Sequence, residues 1–156
     1  MDNPQYIEYL NTFGAEINVK SQPRKEKGHI IKEKKFKISE RLFKQVIHRI
    51  SYKYYQCCDL VKNFYLDDAE IERMKEFPHR FILLEFTLED LMKFPQDTRI
   101  PNKSSVKITG KYILRTLMEF QVNDDVHVVF CGDKHNAFLY ANSLFKRINS
   151  KYERKQ

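Results

Sequence analysis

One segment of the chain carries the residue types that hydrolyse phosphodiester bonds. Glu33-Lys34-Lys35 follows the apolar run His29–Ile31, and Glu16 lies upstream. Metal-dependent hydrolysis of a phosphodiester needs carboxylates that hold one or two divalent cations and a lysine that positions or activates water. Glu16 and Glu33 would supply the carboxylates and Lys35 the amine. In so lysine-rich a segment a Glu-x-Lys spacing also arises by chance, so this is one of two candidate registers for a catalytic site.

Other catalytic chemistries have no support in the sequence. The Gly-x-Ser-x-Gly motif is absent, and none of the 5 histidines has the sequence surroundings of a catalytic triad. The 4 glycines are scattered and cannot form a phosphate-binding glycine-rich loop. The 3 cysteines lack the spacing of a zinc site or a disulfide framework, which predicts reduced thiols.

The positive charge of the chain is concentrated in two segments. The formal net charge of +7 favours a polyanionic partner. The basic segment near the end of the sequence, from Lys146 to Lys155, is interpreted as a solvated face and frayed tail. Basic residues outnumber acidic ones between Lys20 and Lys44, and there we predict contacts with DNA phosphates. The predicted contact residues are Arg24, Lys25, Lys27, Lys32, Lys34, Lys35 and Lys37.

Two apolar runs in the second half predict the strands that would hold a site. Phe81–Phe86 and Val126–Cys131 are short and apolar, as in a parallel sheet that is covered on both faces. Each run is followed by a helix start, first Thr87 with Asp90 at capping-box spacing and then Asp133. A third helix is predicted between them. This order of elements indicates an α/β layer.

The first half predicts less regular elements. A helix is expected over residues Tyr6–Phe13, ended by Gly14, and a short strand over Glu16–Val19. The segment Arg41–Tyr55 is rich in β-forming residues and predicts a hairpin that leads into a central strand. A further helix is expected to begin near Asp59.

The run from Arg80 to Ile148 resembles the C-terminal part of the XPF-type nuclease domain, a branch of the restriction-endonuclease-like PD-(D/E)XK superfamily. The resemblance lies in a hydrophobic strand that ends in Glu85, a variable loop, an Ile/Leu-rich helix, another strand and a closing helix with Asn-Ala-Phe from Asn136. It implies an α/β fold with a central mixed sheet flanked by helices. It also implies a metal-dependent DNA endonuclease that uses Mg²⁺ or Mn²⁺, often as a dimer.

The same resemblance implies the preferred register for the site, to which the register of Glu16, Glu33 and Lys35 is the alternative. The family's Asp-Leu pair matches Asp59-Leu60, which places its Glu-Arg-Lys triplet on Lys53–Tyr55 and its Gly-Asp pair near Glu40. Glu40 and Asp59 are then the candidate catalytic carboxylates and metal ligands. A lysine replaces the metal-binding glutamate and a tyrosine replaces the lysine, so the implied site is degenerate.

Length and hydropathy bound the remaining expectations. A chain of 156 residues can bury one core, and we predict a single nuclease-like α/β domain over residues 1–150 with a charged tail over 151–156. No run is long and apolar enough to span a membrane, and the start of the chain lacks a signal-peptide pattern. A cytoplasmic or nuclear protein is expected, with DNA as partner and a second copy or a nuclease-fold subunit as protein partner.

Three functions are compatible with these patterns. The first is a metal-dependent DNA endonuclease with a strongly diverged site. The second is a catalytically inactive nuclease-fold protein that binds DNA or a partner subunit. The third is a small RNA-binding α/β domain in which Tyr52, Tyr54 and Tyr55 stack on bases beside lysine.

Overall fold

The computed structural model describes residues 3–15, 37–57, 68–96, 100 and 108–154. The chain divides into two compact units, one of residues Met1–His48 and Phe138–Gln156, the other of Arg49–Ala137. The elements are α1 (Pro4–Thr12), α2 (Glu40–Val46), a short 3₁₀ helix (Ile47–Arg49), β1 (Ile50–Tyr55), α3 (Asp68–Met74), β2 (His79–Leu84), α4 (Leu88–Lys93), α5 (Gly110–Asp124), β3 (His127–Phe130) and α6 (Lys134–Glu153). The predicted single domain over residues 1–150 stays a prediction.

A parallel sheet with strand order β1-β2-β3 forms the centre of the Arg49–Ala137 unit. Leu83 of the middle strand lies opposite Tyr54 on one side and Val129 on the other. The last four residues of β2, Phe81–Leu84, are all buried, and since successive side chains point to opposite faces, both faces of the sheet are covered at this strand. Among the described strands, β3 pairs only with β2. It is partly exposed, whereas the sequence predicted a buried strand.

Helices α4 and α5 pack together over the core of this unit. Ile82 and Leu84, two residues apart on β2 and so on one face of the sheet, are fully buried in that core with Leu117 of α5. Where α5 begins, the N–H of Gly110 donates to the carbonyl of Phe94 at 3.1 Å. A Cβ atom on Gly110 would lie 1.7 Å from a carbonyl oxygen of α4, so only glycine permits this close approach.

The other unit has an aromatic core built from three helices. Tyr9 of α1 contacts the rings of Phe43 of α2 and Phe145 of α6, with centroid distances of 5.2 and 5.1 Å. The Tyr9 hydroxyl donates to Oδ1 of Asn142 at 2.6 Å, which gives the side-chain oxygen of this buried asparagine a partner. Gly14, with a φ of 68°, follows the end of α1 as predicted.

The helix starts follow the local signals of the sequence, but the first half corrects one prediction. Arg41–Tyr55 is not a hairpin, since it forms α2, a 3₁₀ turn and a single strand. Ser39 caps α2 by accepting from the N–H of Leu42, and the buried Phe43 and Val46 are three residues apart, which is helical spacing. The strand that follows lies at the edge of the described sheet rather than at its centre.

Two further expectations concern the sheet and the ends of the chain. The three described strands are all parallel, and a mixed sheet would depend on Glu16–Val19, which lies outside the described residues. The last helix runs to Glu153, so the first residues of the predicted tail are helical. Across the described residues no helix has the length and apolarity required to cross a bilayer.

Candidate functional site

The carboxyl ends of the three parallel strands meet at one edge of the sheet, where α/β proteins commonly place their sites. Two backbone hydrogen bonds extend the strand pairing past the ends of the strands. The N–H of Glu85 donates to the carbonyl of Tyr55 at 3.0 Å, and the N–H of Cys131 donates to that of Leu84 at 2.9 Å. The edge therefore has a fixed backbone on which side chains can be positioned.

Glu85 is the centre of a polar cluster at this edge. Its Oε1 accepts from the hydroxyl of Tyr54 at 2.5 Å, and its Oε2 accepts from the N–H of Cys57 at 3.3 Å. The thiol of Cys57 donates to the Glu85 carbonyl at 3.3 Å. Burial and the bond to Glu85 raise the pKa of Tyr54 far above its ordinary value, so its hydroxyl keeps its proton. The carboxylate thus clamps the end of β1 to the end of β2.

Cys131, at the end of β3, is a poor nucleophile. Burial raises the pKa of its thiol to about 11, and the charge of Asp133 adds to the rise. The reactive thiolate is therefore scarce at neutral pH. The raised pKa of Cys131 therefore gives no support to nucleophilic chemistry of the kind used by cysteine hydrolases at this thiol.

The stability of the protein should depend on this thiol in alkaline solution. The unfolded thiol ionises near pH 9 while the folded thiol keeps its proton up to about pH 11, so the free energy of unfolding should fall between these values. In Cys131→Ser, which does not titrate there, the fall should be smaller by roughly 1–2 kcal/mol. Urea titrations of both proteins from pH 8 to 11 measure this, and parallel curves would contradict the proposed environment of the thiol.

The remaining polar groups of the edge start helices. Thr87 and Asp90 form the predicted capping box of α4, with reciprocal bonds of 2.9 and 3.1 Å. Asp133 accepts from the N–H of Asn136 at 2.7 Å and so caps α6. Among the residues that the structure describes, no group of three or more His, Cys, Asp or Glu side chains could hold a metal ion. The polar groups named here therefore hold the strand ends and the helix starts in place.

Glu40, a predicted catalytic carboxylate and metal ligand, has a structural role in the unit of α1, α2 and α6. Its carboxylate accepts from the backbone N–H of Asn3, the residue that caps α1, at 2.7 Å. Lys44 lies 4.0 Å away, one turn along α2. A carboxylate at a helix N-terminus is stabilised by the partial positive charge there. Asp59, the other residue of this register, lies outside the described residues.

Lys53 and Tyr55, the departures from the family's pattern, both lie on β1 in the other unit. Lys53 is exposed, and its ammonium lies 5.8 Å from the centroid of the Tyr55 ring. Tyr55 is 2% exposed and belongs to the core. A buried Tyr55 cannot stack on a base, which removes one of the three aromatic platforms of the RNA hypothesis.

The other predicted site residues fall mostly outside the described part of the chain. These are the alternative register, Glu16, Glu33 and Lys35, and the basic residues Arg24, Lys25, Lys27, Lys32 and Lys34. Lys37 is described, and its side chain is partly buried just before α2.

The last helix carries a pattern that was not predicted. Arg147, Lys151 and Arg154 are all exposed and lie at helical spacing, although they were interpreted as part of a solvated face and tail. The signal was in the sequence, since a spacing of four and then three residues places side chains on one face of a helix.

Comparisons with protein-family models, with curated proteins and with solved structures find no match to this chain.

Proposed function

We propose that this chain is a DNA-binding protein with a restriction-endonuclease-like fold, close to the XPF-type branch, that does not cleave DNA by itself. The proposal rests on the resemblance of residues 80–148 and on the side chains that β1 carries. One observation supports it most, namely the exposed ammonium of Lys53 on β1. In the XPF-type register this is the position of a metal-binding glutamate.

An ammonium at that position opposes the binding of a divalent cation. It repels the cation directly, and it can neutralise any carboxylate that approaches the same place. Two residues later, the register expects a lysine that activates water. Tyr55 stands there instead, buried and with a pKa that burial raises above its ordinary value, so it offers neither a positive charge nor a base.

The hydrogen bond of Glu40 also supports the proposal that the protein does not cleave DNA by itself. A metal ligand needs a carboxylate with free lone pairs directed at the ion, and the Glu40 carboxylate already accepts the backbone N–H of Asn3. Removing it from that bond would leave an N–H group at the start of α1 without its acceptor. The residue is therefore explained by the folding of its own unit.

The DNA-binding part of the proposal rests on charge. The net charge of +7 and the dense basic segment between Lys20 and Lys44 suit a polyanion, and contacts of lysine and arginine with phosphates require no catalytic site. Loss of cleavage and retention of DNA binding are thus compatible in one chain.

We expect no cleavage of flap or linear duplex DNA by the purified protein in the presence of Mg²⁺ or Mn²⁺. Calorimetric titration with Mg²⁺ should detect weak binding or none, and Lys53→Ala should change neither result, because it supplies no carboxylate. Gel analysis of end-labelled DNA is the direct measurement.

Metal-dependent cutting by the natural protein would contradict the proposal. Two variants would then identify the catalytic register. If Asp59→Ala abolishes the cutting, a diverged site works despite Lys53. If Glu33→Ala abolishes it and Asp59→Ala does not, the alternative register of Glu16, Glu33 and Lys35 is the catalytic one.

A further inference from the structure

One face of α6 carries three cations in a row. Arg147, Lys151 and Arg154 are exposed, and the exposed Tyr140 and Ser143 continue the same face toward the start of the helix. At 3.6 residues per turn these five side chains lie within a narrow angular stripe. We call them the α6 basic face.

The opposite side of α6 is the one that packs. Ala141, Phe145 and Ile148 are buried there. Asn142, which accepts the hydrogen bond from Tyr9, is also buried there. The aromatic core of this unit therefore fixes the rotation of the helix about its axis. As a result the basic face points away from the core.

Within the described part of the chain, no acidic side chain pairs with the cations of this face. The residue one turn before Lys151 is Arg147, and a like-charge pair at this spacing destabilises a helix slightly. Glu153, the acid of this helix, accepts instead from the side-chain amide of Asn149 at 2.9 Å. Several exposed cations on other described helices do pair with an acid one turn away, such as Lys44 with Glu40, Lys93 with Glu89 and Arg115 with Glu119.

The helix dipole explains only part of the pattern. Cations in the last turn are favoured by the partial negative charge of the C-terminal carbonyl groups, and the Nε of Arg154 donates to the carbonyl of Ser150 at 3.4 Å. This effect is confined to the last turn. Arg147 lies nearly two turns before the end of α6, and its repulsion with Lys151 has no such compensation.

We infer that the α6 basic face binds the phosphates of duplex DNA, in addition to the Lys20–Lys44 segment. This inference rests on the proposed DNA-binding function and assigns it a second surface. From Arg147 to Arg154 the helix rises about 10 Å, while each strand of duplex DNA presents a phosphate every ~3.4 Å of its axis. Each cation can therefore face its own phosphate. Tyr140 and Ser143 add hydroxyl groups, which also hydrogen-bond phosphate oxygens.

The test compares two variants that lose the same charge. One is Arg147→Gln, Lys151→Gln, Arg154→Gln, which keeps good helix formers on α6. Its control is Lys93→Gln, Lys111→Gln, Arg115→Gln, three exposed positions on α4 and α5. Affinity for a duplex of fixed length is measured by fluorescence anisotropy over a range of salt concentrations. Circular dichroism establishes that both variants are folded.

We expect the α6 variant to bind at least about 10-fold more weakly at low salt, with a salt slope shallower by about 2–3, because each lost phosphate contact removes about 0.9 from the slope. The control variant should keep most of the salt dependence of binding that the natural protein shows. If the natural protein binds DNA and the two variants behave alike, the α6 surface is overturned while the proposed function stands. If the natural protein itself does not bind duplex DNA, both the α6 surface and the proposed function are overturned. Dependence on the three cations with single-stranded RNA but not with duplex DNA would identify RNA as the partner and overturn the inference.

Discussion

Reversing the charge of Lys32, Lys34, Lys35 and Lys37 to glutamate is expected to weaken binding to duplex DNA by roughly 100-fold or more at low salt. Four phosphate contacts are lost and four repulsive charges appear in their place. The loss should be the same for unrelated DNA sequences, because contacts with phosphates carry no base information. The salt slope should become shallower by about 3–4. Filter binding or anisotropy on two unrelated duplexes measures both quantities.

The matched control reverses Arg73, Lys93, Lys111 and Arg115, which are exposed and lie on α3, α4 and α5. It changes the net charge by the same amount, so it separates a local surface from a general effect of charge. An equal loss in both variants would mean that the basic segment has no special part in binding. Unchanged affinity in the first variant would remove the predicted DNA-contact residues altogether.

The second large effect is expected in the sheet. Leu83→Ala should lower the free energy of unfolding by about 2–5 kcal/mol, as truncation of a buried leucine does. Leu83 is 0% exposed in the middle strand, between Tyr54 and Val129 on its neighbours. The side chain is surrounded on both sides by strands that cannot easily close around a cavity. Chemical denaturation followed by circular dichroism gives the value.

Leu88→Ala is the control for this change, because it is the same substitution at a residue 45% exposed at the start of α4. Its cost should stay below about 1 kcal/mol, since alanine is a good helix former and little buried area is lost. A loss well below about 1 kcal/mol in Leu83→Ala would mean that β2 is not the centre of a packed sheet. The resemblance to the nuclease fold would then lose its principal strand.

Glu40 and Glu85 show how two carboxylates can be occupied by hydrogen bonds within their own units. Glu85 directly follows β2 and holds the Tyr54 hydroxyl and the backbone N–H of Cys57. Glu40 holds the backbone N–H of Asn3, the residue that caps α1. In both cases the lone pairs are used by groups of the fold, which leaves less capacity for a metal ion.

The sequence by itself determined the local elements of this protein. Thr87 with Asp90 and Asp133 predicted helix starts that the structure contains, and the apolar runs located β2 and β3. These signals are local, because a cap satisfies N–H groups three residues away and a buried strand needs a short apolar run. They are therefore visible without knowledge of distant contacts.

Tertiary structure decided the rest. Local β-propensity predicted a hairpin over Arg41–Tyr55, yet burial of Phe43 against Tyr9 stabilises the first part of this segment as a helix. The same packing fixes which side of α6 faces solvent, and so gathers Arg147, Lys151 and Arg154 on one exposed face. The role of Glu40 depends on Asn3, a residue 37 positions away. Contacts between residues so far apart in the chain are set by packing and loop closure rather than by local sequence, and for that reason only the folded chain shows them.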